Sequence, residues 1–271
     1  MRFVLFLLLC GSLGRSYAQI SADTLPFSQS KAFLLKIGST TFRDNFLSPI
    51  RYQLPSIGAE MSYNAKKGKK LSTKLSTLRL GIPQTSRTLQ IWSFEFQLHY
   101  AQHYQVVQQP SSSLYIGGFA NLAFASRVSD IYKLGYGNNE VSVDAGSHIG
   151  LALVYAKSFS VLQYPILFQN TLNIPIISVL GRSGYAHDAY FKEELIRNLG
   201  KYIYVGSLNH FLLVQNKTYF DFAFKNKPNA KHSLRQTAWR LGIDWQFKSF
   251  DKPSELRFGN TSLVLGKVII F

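Results

Sequence analysis

The sequence predicts an all-β protein: an antiparallel transmembrane β-barrel of about 12 strands, with long extracellular loops and short periplasmic turns. Three observations lead there. Apolar and polar residues alternate with period two through most of the chain, which gives extended strands one apolar and one polar face. Aromatic residues bracket the apolar runs, as they do in the girdles beside a barrel's lipid-facing band. The chain opens with an export-type segment and closes on an aromatic residue, Phe271. Hydrophobic residues are 46% of the 271, a composition that would also suit a soluble protein. A barrel hides in such numbers because inward polar residues dilute every strand. Beyond the N-terminus there is no run of roughly 20 apolar residues, as a helical membrane protein requires.

Residues 1–18 read as a signal peptide. Arg2 supplies its positive start, Phe3 to Cys10 its apolar stretch, and Ser16-Tyr17-Ala18 its small-x-small cleavage site. The mature chain is expected from Gln19, with a short N-terminal periplasmic segment at 19–30 and the barrel at 31–271. A lipidated Cys10 is disfavoured, because Leu9 precedes it where a small residue is expected. Cys10 is the single cysteine, so the mature chain holds neither disulfide nor thiol chemistry.

The strands follow in order. Phe33, Leu35 and Ile37 form one apolar face, with Lys36 opposite. Ile57, Ala59, Met61 and Tyr63 form the next, with Glu60 opposite; Leu78, Leu80 and Ile82 the third, with Arg79 opposite. The clearest is the fourth, where Trp92, Phe94, Phe96, Leu98 and Tyr100 face away from Ser93, Glu95, Gln97 and His99. Leu114 to Phe124, Ile149 to Tyr155 and Leu162 to Phe168 continue the pattern. Tyr202 to Val214 is apolar on both faces. Phe220, Phe222 and Phe224 follow, with Asp221 inward. Trp239, Leu241, Ile243, Trp245 and Phe247 oppose Arg240, Asp244 and Gln246, and Ser262 to Phe271 ends the chain. Eleven segments are visible. An even number is expected of a bacterial barrel, so a twelfth is sought at Val179 to Tyr185 or Leu256 to Phe258.

Short turns are expected near Lys157 to Ser160 and Gln215 to Lys217. Long loops are expected at Arg43 to Pro55, Ser126 to Ser142 and Pro175 to Lys201, the last carrying a short amphipathic helix over Asp188 to Leu199. Trp92, Tyr100, Trp239 and Trp245 are the expected lipid-facing girdle. Phe271 resembles the C-terminal signal read by the barrel assembly machinery, although Lys267 interrupts its apolar face.

Formal charge is +16, yet the basic residues are spread along an exported chain, so nucleic acid is not an expected partner. The one dense run, Lys66-Lys67-Gly68-Lys69-Lys70, reads as a solvated turn, or alternatively as a contact for phosphorylated headgroups. Lys36, Glu60, Arg79, Glu95, His99, Asp221, Arg240 and Asp244 all fall on inward faces. Their mixed signs favour internal ion pairs and a plugged or very narrow pore, whereas an anion channel would carry excess positive charge.

No His has a Ser or carboxylate two residues away on its own strand face, so no catalytic residue is assigned. Glu95, His99 and His103 share a face, but strand positions four apart are roughly 13 Å apart, too far for one metal ion. No cofactor is implied: there is no phosphate-binding glycine loop, zinc spacing or nucleotide fingerprint. Asn216-Lys217-Thr218 and Asn260-Thr261-Ser262 match glycosylation sequons, which in a bacterial protein are chance matches.

Four sets of residues carry a family resemblance: Asp44-Asn45-Phe46-Leu47-Ser48-Pro49 with Tyr52; Gly137-Asn138-Asn139; Pro175-Ile176-Ile177-Ser178-Val179 running to Gly184-Tyr185 and Tyr190-Phe191; and Arg240-Leu241-Gly242 with Leu265-Gly266-Lys267-Val268. The chain resembles a family of uncharacterised outer-membrane barrel proteins from the Bacteroidetes group, known only as a domain of unknown function. Phe46 stands where that family has Tyr. The resemblance implies a barrel in the outer membrane, with no known activity.

The expected role is a structural or narrow-pore transport barrel in the cell outer membrane. Its expected surroundings are outer-membrane lipid and lipopolysaccharide, with the barrel assembly machinery as partner during biogenesis. One rival is an outer-membrane enzyme acting on lipid or lipopolysaccharide through His148 or His187. The other is a soluble secreted β-sandwich or lipocalin-like binder, which would leave Trp239, Trp245 and Phe247 in water unless a second sheet covered them.

Overall fold

Period-two patterning becomes eleven antiparallel strands in the computed structural model, which describes residues 29–45, 47–83, 91–129, 141–161, 164–182, 203–208, 210–223, 236–251 and 255–271. They are β1 (Gln29–Asp44), β2 (Ser48–Lys67), β3 (Lys70–Gly81), β4 (Ile91–Gln108), β5 (Ser112–Ser129), β6 (Val141–Val161), β7 (Tyr164–Arg182), β8 (Ile203–Gly206), β9 (Phe211–Ala223), β10 (Gln236–Phe250) and β11 (Leu256–Ile270). Each ring strand pairs with its neighbours in sequence, except that β7 pairs with β9. β1 pairs along its whole length with β11, so the sheet closes on itself. Closure leaves no edge strand in the ring. The Phe271 backbone N–H donates to the Gln29 carbonyl at 2.9 Å, completing the seam.

The ring holds ten strands, with β8 as an extra, rather than about 12. The difference lies at Gln215 to Lys217. These residues are not a turn: they lie inside β9, where Gln215 and Lys217 point inward between Leu213 and Tyr219. Two expected strands are therefore one. β8 covers Ser178 to Gly181 of β7, beyond the stretch Ile166 to Asn173 that pairs with β9. Val179 to Arg182 and Leu256 to Phe258 are the ends of β7 and β11, not separate strands.

The expected long loop at Arg43 to Pro55 is also absent, because β1 reaches Asp44 and β2 begins at Ser48. Tyr52 and Leu54 point inward and join Phe42, Ile91 and Phe258 in an apolar cluster, while Arg51 and Gln53 face out. Alternation continues there with its sense reversed, which is why it reads as loop. The expected helix at Asp188 to Leu199, His187 and Gly137-Asn138-Asn139 lie outside the described residues.

Connections at one end are 45–47, 82–90, 130–140, 183–202 and 251–255. At the other end, with both described termini, they are 68–69, 109–111, 162–163 and the longer 224–235. These are called the loop end and the turn end. Gly68 takes the left-handed φ of 59° in the two-residue β2–β3 turn, where a side chain would be strained.

The outer wall is apolar at mid-height: Leu35, Ile57, Leu98, Leu122, Leu151, Leu241 and Leu265 are all exposed. Ring strands run from 12 to 21 residues, enough to cross a bilayer, for which about 9–11 tilted residues suffice. Curvature brings backbones close: a Cβ at inward Gly117 would lie 1.9 Å from the Gln102 carbonyl oxygen. The soluble β-sandwich reading fails on this architecture. It needs two sheets covering each other's apolar faces, whereas here one sheet closes with its apolar face outward.

Candidate functional site

Where the outer wall is apolar, the inner wall is ionic. Period two obliges this, since every outward Leu or Ile puts its neighbours inside. Six carboxylates (Asp44, Glu60, Glu95, Asp144, Asp221, Asp244) and seven cations (Lys36, Arg79, Arg127, Arg182, Lys217, Arg240, Lys248) are buried in the interior. Near balance of sign allows each to be paired, the condition for burying charge.

At mid-height Lys36 of β1 bridges two strands. Its ammonium pairs with Glu60 of β2 and lies 2.6 Å from Asp244 of β10. Glu60 also accepts from Lys217 at 2.7 Å and from the Tyr219 hydroxyl at 3.2 Å, both on β9. Arg79 of β3 donates to Glu95 of β4 at 2.6 Å and reaches Asp244 at 3.7 Å. Glu95 accepts further from Lys248 and, at 2.9 Å, from Gln97. These bonds run across the barrel, tying β1–β4 to β9 and β10. Nearer the turn end, Arg240 makes a two-pronged bond to Asp221, both distances 2.7 Å, with its guanidinium 4.7 Å from the Tyr219 ring centre.

A second cluster lies toward the loop end. Arg127 of β5 donates to Asp144 of β6 at 2.6 Å and to Asp44 of β1 at 3.4 Å. Arg182 of β7 pairs with both acids, and the Ser142 hydroxyl donates to Asp44 at 3.1 Å. Arg127 lies 5.6 Å from the Phe42 ring centre and 5.9 Å from that of Phe258, so this cluster packs against the apolar cluster around Tyr52.

Below the central layer is a cavity of about 40 Å³, among whose lining residues are Ser62, His99, His103, Gln169, Asn173 and Lys217. That volume admits roughly three water molecules. Leu71, Tyr115, Val154, Ala156 and Leu167 form an apolar layer toward the turn end.

The eight inward candidates meet unequally. Lys36, Glu60, Arg79, Glu95 and Asp244 share the central network; Asp221 and Arg240 form their own pair; His99 stands apart, stacked on Phe119 with ring centres 5.2 Å apart. Glu95, His99 and His103 make no common site: Glu95 is held by Arg79 and Lys248, and His103 Nδ1 lies 3.4 Å from the Leu71 carbonyl oxygen. Among the described residues no group of three or more His, Cys, Asp or Glu is placed to hold a metal ion. His148 finds a cross-strand partner, with Nδ1 2.8 Å from Oγ of Ser178 on β7, both buried. Neither that serine nor that histidine lines the cavity.

A model of the family described as Protein of unknown function (DUF3316) matches residues 3–243. The chain belongs to the DUF3316 family. None of the curated proteins matches it. Among solved structures it is similar to the outer membrane protease OmpT from Escherichia coli (7% identity, TM-score 0.49, covering 93% of this chain and 100% of that one). It is also similar to the translocator domain of the autotransporter NalP from Neisseria meningitidis (9%, 0.42, 91% and 90%) and to Ail, the attachment invasion locus protein of Yersinia pestis (8%, 0.35, 89% and 99%).

In this DUF3316 barrel the sequence reading missed Asp44, Arg127, Asp144, Arg182, Lys217 and Lys248 as members of the interior. For two of them a signal was present. Lys217 precedes Asp221 by four residues and Lys248 follows Asp244 by four, so an unbroken period of two puts each on the inward face. The His148–Ser178 pair had no such signal, because it depends on the β6–β7 register, which sets His148 opposite Ser178.

Proposed function

We propose that this DUF3316 protein is an outer-membrane barrel whose interior is sealed by ion pairs, a structural or very narrow-pore protein rather than an open channel. One observation carries the reading: the buried network of Lys36, Glu60, Arg79, Glu95, Lys217, Asp244 and Lys248 spans the interior from β1 to β10. The apolar outer wall supports contact with acyl chains, since a large exposed apolar surface needs a non-aqueous neighbour. Exposed Trp92, Tyr100, Trp239 and Trp245 suit the aromatic girdle of that wall. On this reading residues 1–18 direct export, Phe271 is read by the assembly machinery, and lipopolysaccharide meets the loop-end wall. Origin in the Bacteroidetes group rests on the short motifs at 44–49 and 265–268. Recording from the purified protein in planar bilayers tests the sealed interior. No stable, large conductance is expected, and observing one would sink the reading.

A second reading, an enzyme acting on lipid, is favoured by a single contact, the 2.8 Å approach of His148 Nδ1 to Ser178 Oγ, which resembles a base beside a nucleophile. Burial of both groups favours a structural hydrogen bond. Covalent labelling of Ser178 by a fluorophosphonate probe would establish the enzyme reading; its absence would leave the sealed barrel.

A further inference from the structure

Among the described residues, surface lysines and surface acids lie at opposite ends of the barrel. Of the eight described acids, six are buried in the interior, and the two that reach the surface, Asp251 and Glu255, lie at the loop end. At the turn end Lys31, Lys67, Lys69, Lys70, Lys74 and Lys267 are all exposed. Three of these, Lys31, Lys74 and Lys267, stand on the outer wall rather than in the turn.

Register places them in a row. Lys31 of β1 lies beside Tyr63 of β2, Tyr63 beside Lys74 of β3, and Lys74 beside Tyr100 of β4. Cation and phenol therefore alternate across four strands, each within reach of the next. Lys267 of β11 lies opposite Phe33, one pair up from Lys31, and opposite Trp239 on its other side. On β4 the Tyr100 hydroxyl donates to Gln102 at 3.3 Å, and Gln102 donates to the Tyr104 hydroxyl at 2.9 Å, continuing the polar line toward the turn.

Directly above this row, on the same four strands, the apolar wall is dented. A depression of about 400 Å³ is bounded by Phe33, Leu35, Met61, Leu78 and Phe96. It exists because Ala59 and Ser76 are small where their neighbours are large. A cationic, phenolic row next to an apolar groove of this kind matches one amphiphile. Its phosphate sits among the lysines at the level of the tyrosine hydroxyls, and its acyl chain lies along the groove.

We propose that the outer wall of β1–β4 is a binding site for an anionic phospholipid of the leaflet at the turn end. The inference rests on the membrane-barrel reading and adds an identified lipid to it. Near an anionic surface each lysine contributes roughly five-fold in affinity, and the groove adds a contact specific to an acyl chain.

The test uses the mature full-length protein, folded in detergent micelles doped with either dioleoylphosphatidylglycerol or dioleoylphosphatidylcholine. Retained lipid is counted by native mass spectrometry. Phosphatidylglycerol is expected to be retained at least about five-fold over phosphatidylcholine. Lys31→Gln with Lys74→Gln should bring the two lipids to parity, whereas Lys31→Arg with Lys74→Arg should keep the preference. Ala59→Phe, which fills the groove without touching a charge, should lower retention of both lipids. Equal retention by the native protein, a preference that survives the double Gln variant, or displacement by inorganic phosphate alone would overturn the site. A protein that folds in micelles and shows no preference refutes this inference only; one that folds without any amphiphile refutes the barrel reading beneath it.

Discussion

Glu60 sits where two lysines and a phenol converge, and its fate decides theirs. Its carboxylate pairs with Lys36 and Lys217 and accepts from Tyr219. Replacing a buried pair by apolar groups can be nearly neutral, but removing one partner strands the other charge. Glu60→Gln leaves Lys217 with no acid at ion-pair distance, and about 3–5 kcal/mol of stability should be lost. Urea unfolding of the detergent-folded protein measures it; an unchanged midpoint would show that water, not protein, satisfies these lysines. Ser178→Ala is milder. It leaves the His148 imidazole without its partner and should cost about 1–3 kcal/mol in the same assay. At this scale the sequence was partly legible. Lys36, Glu60, Asp221, Arg240 and Asp244 could be set on inward faces by parity alone. Which acid meets which base depends on positions far apart in the chain, as with Lys36 and Asp244, 208 residues apart.

A strand of this protein is a two-sided object whose polarity reverses along its length. In β1, Phe33, Leu35 and Ile37 face out while Lys36 faces in. Toward the loop end Phe42 turns an apolar ring inward. The middle of each strand is therefore easy to recognise and its ends are not. Arg43 to Pro55 reads as loop because its apolar residues, Tyr52 and Leu54, turn inward, and Gln215 to Lys217 as a turn because polarity in a buried interior looks like polarity in water. The outward sense of the middle is testable. Leu122→Arg, at mid-height on β5 between Leu98 and Ser147, should destabilise a lipid-embedded barrel by about 2–4 kcal/mol. On a water-facing surface the same change would stay within about 0.5 kcal/mol. Denaturant titrations in lipid vesicles discriminate the two.

For the whole molecule, closure is the decisive event. β1 and β11 pair from Ser30↔Ile270 to Asp44↔Leu256, so the ring cannot close until the first and last strands meet. Such non-local pairing is slow for an unassisted chain. Phe271 lies just past this seam, with Lys31 Nζ 5.7 Å from its ring centre. Deleting Phe271 should cut the yield of inserted protein in cells several-fold while leaving folding of the purified chain in detergent unchanged. Heat-modifiable gel migration reads both, and equal loss in the two settings would make Phe271 a packing residue instead of an assembly signal.

Local alternation was enough to establish an all-β chain with one apolar face per strand, because a side chain's direction on a strand depends only on whether its position is odd or even. The number of strands in the ring, the pairing inside it and the alignment of Lys31 and Lys74 with Tyr63 and Tyr100 on the outer wall were decided by tertiary structure. Register between strands is not carried by the parity of any one of them; it appears only when neighbouring strands pair and the sheet closes on itself.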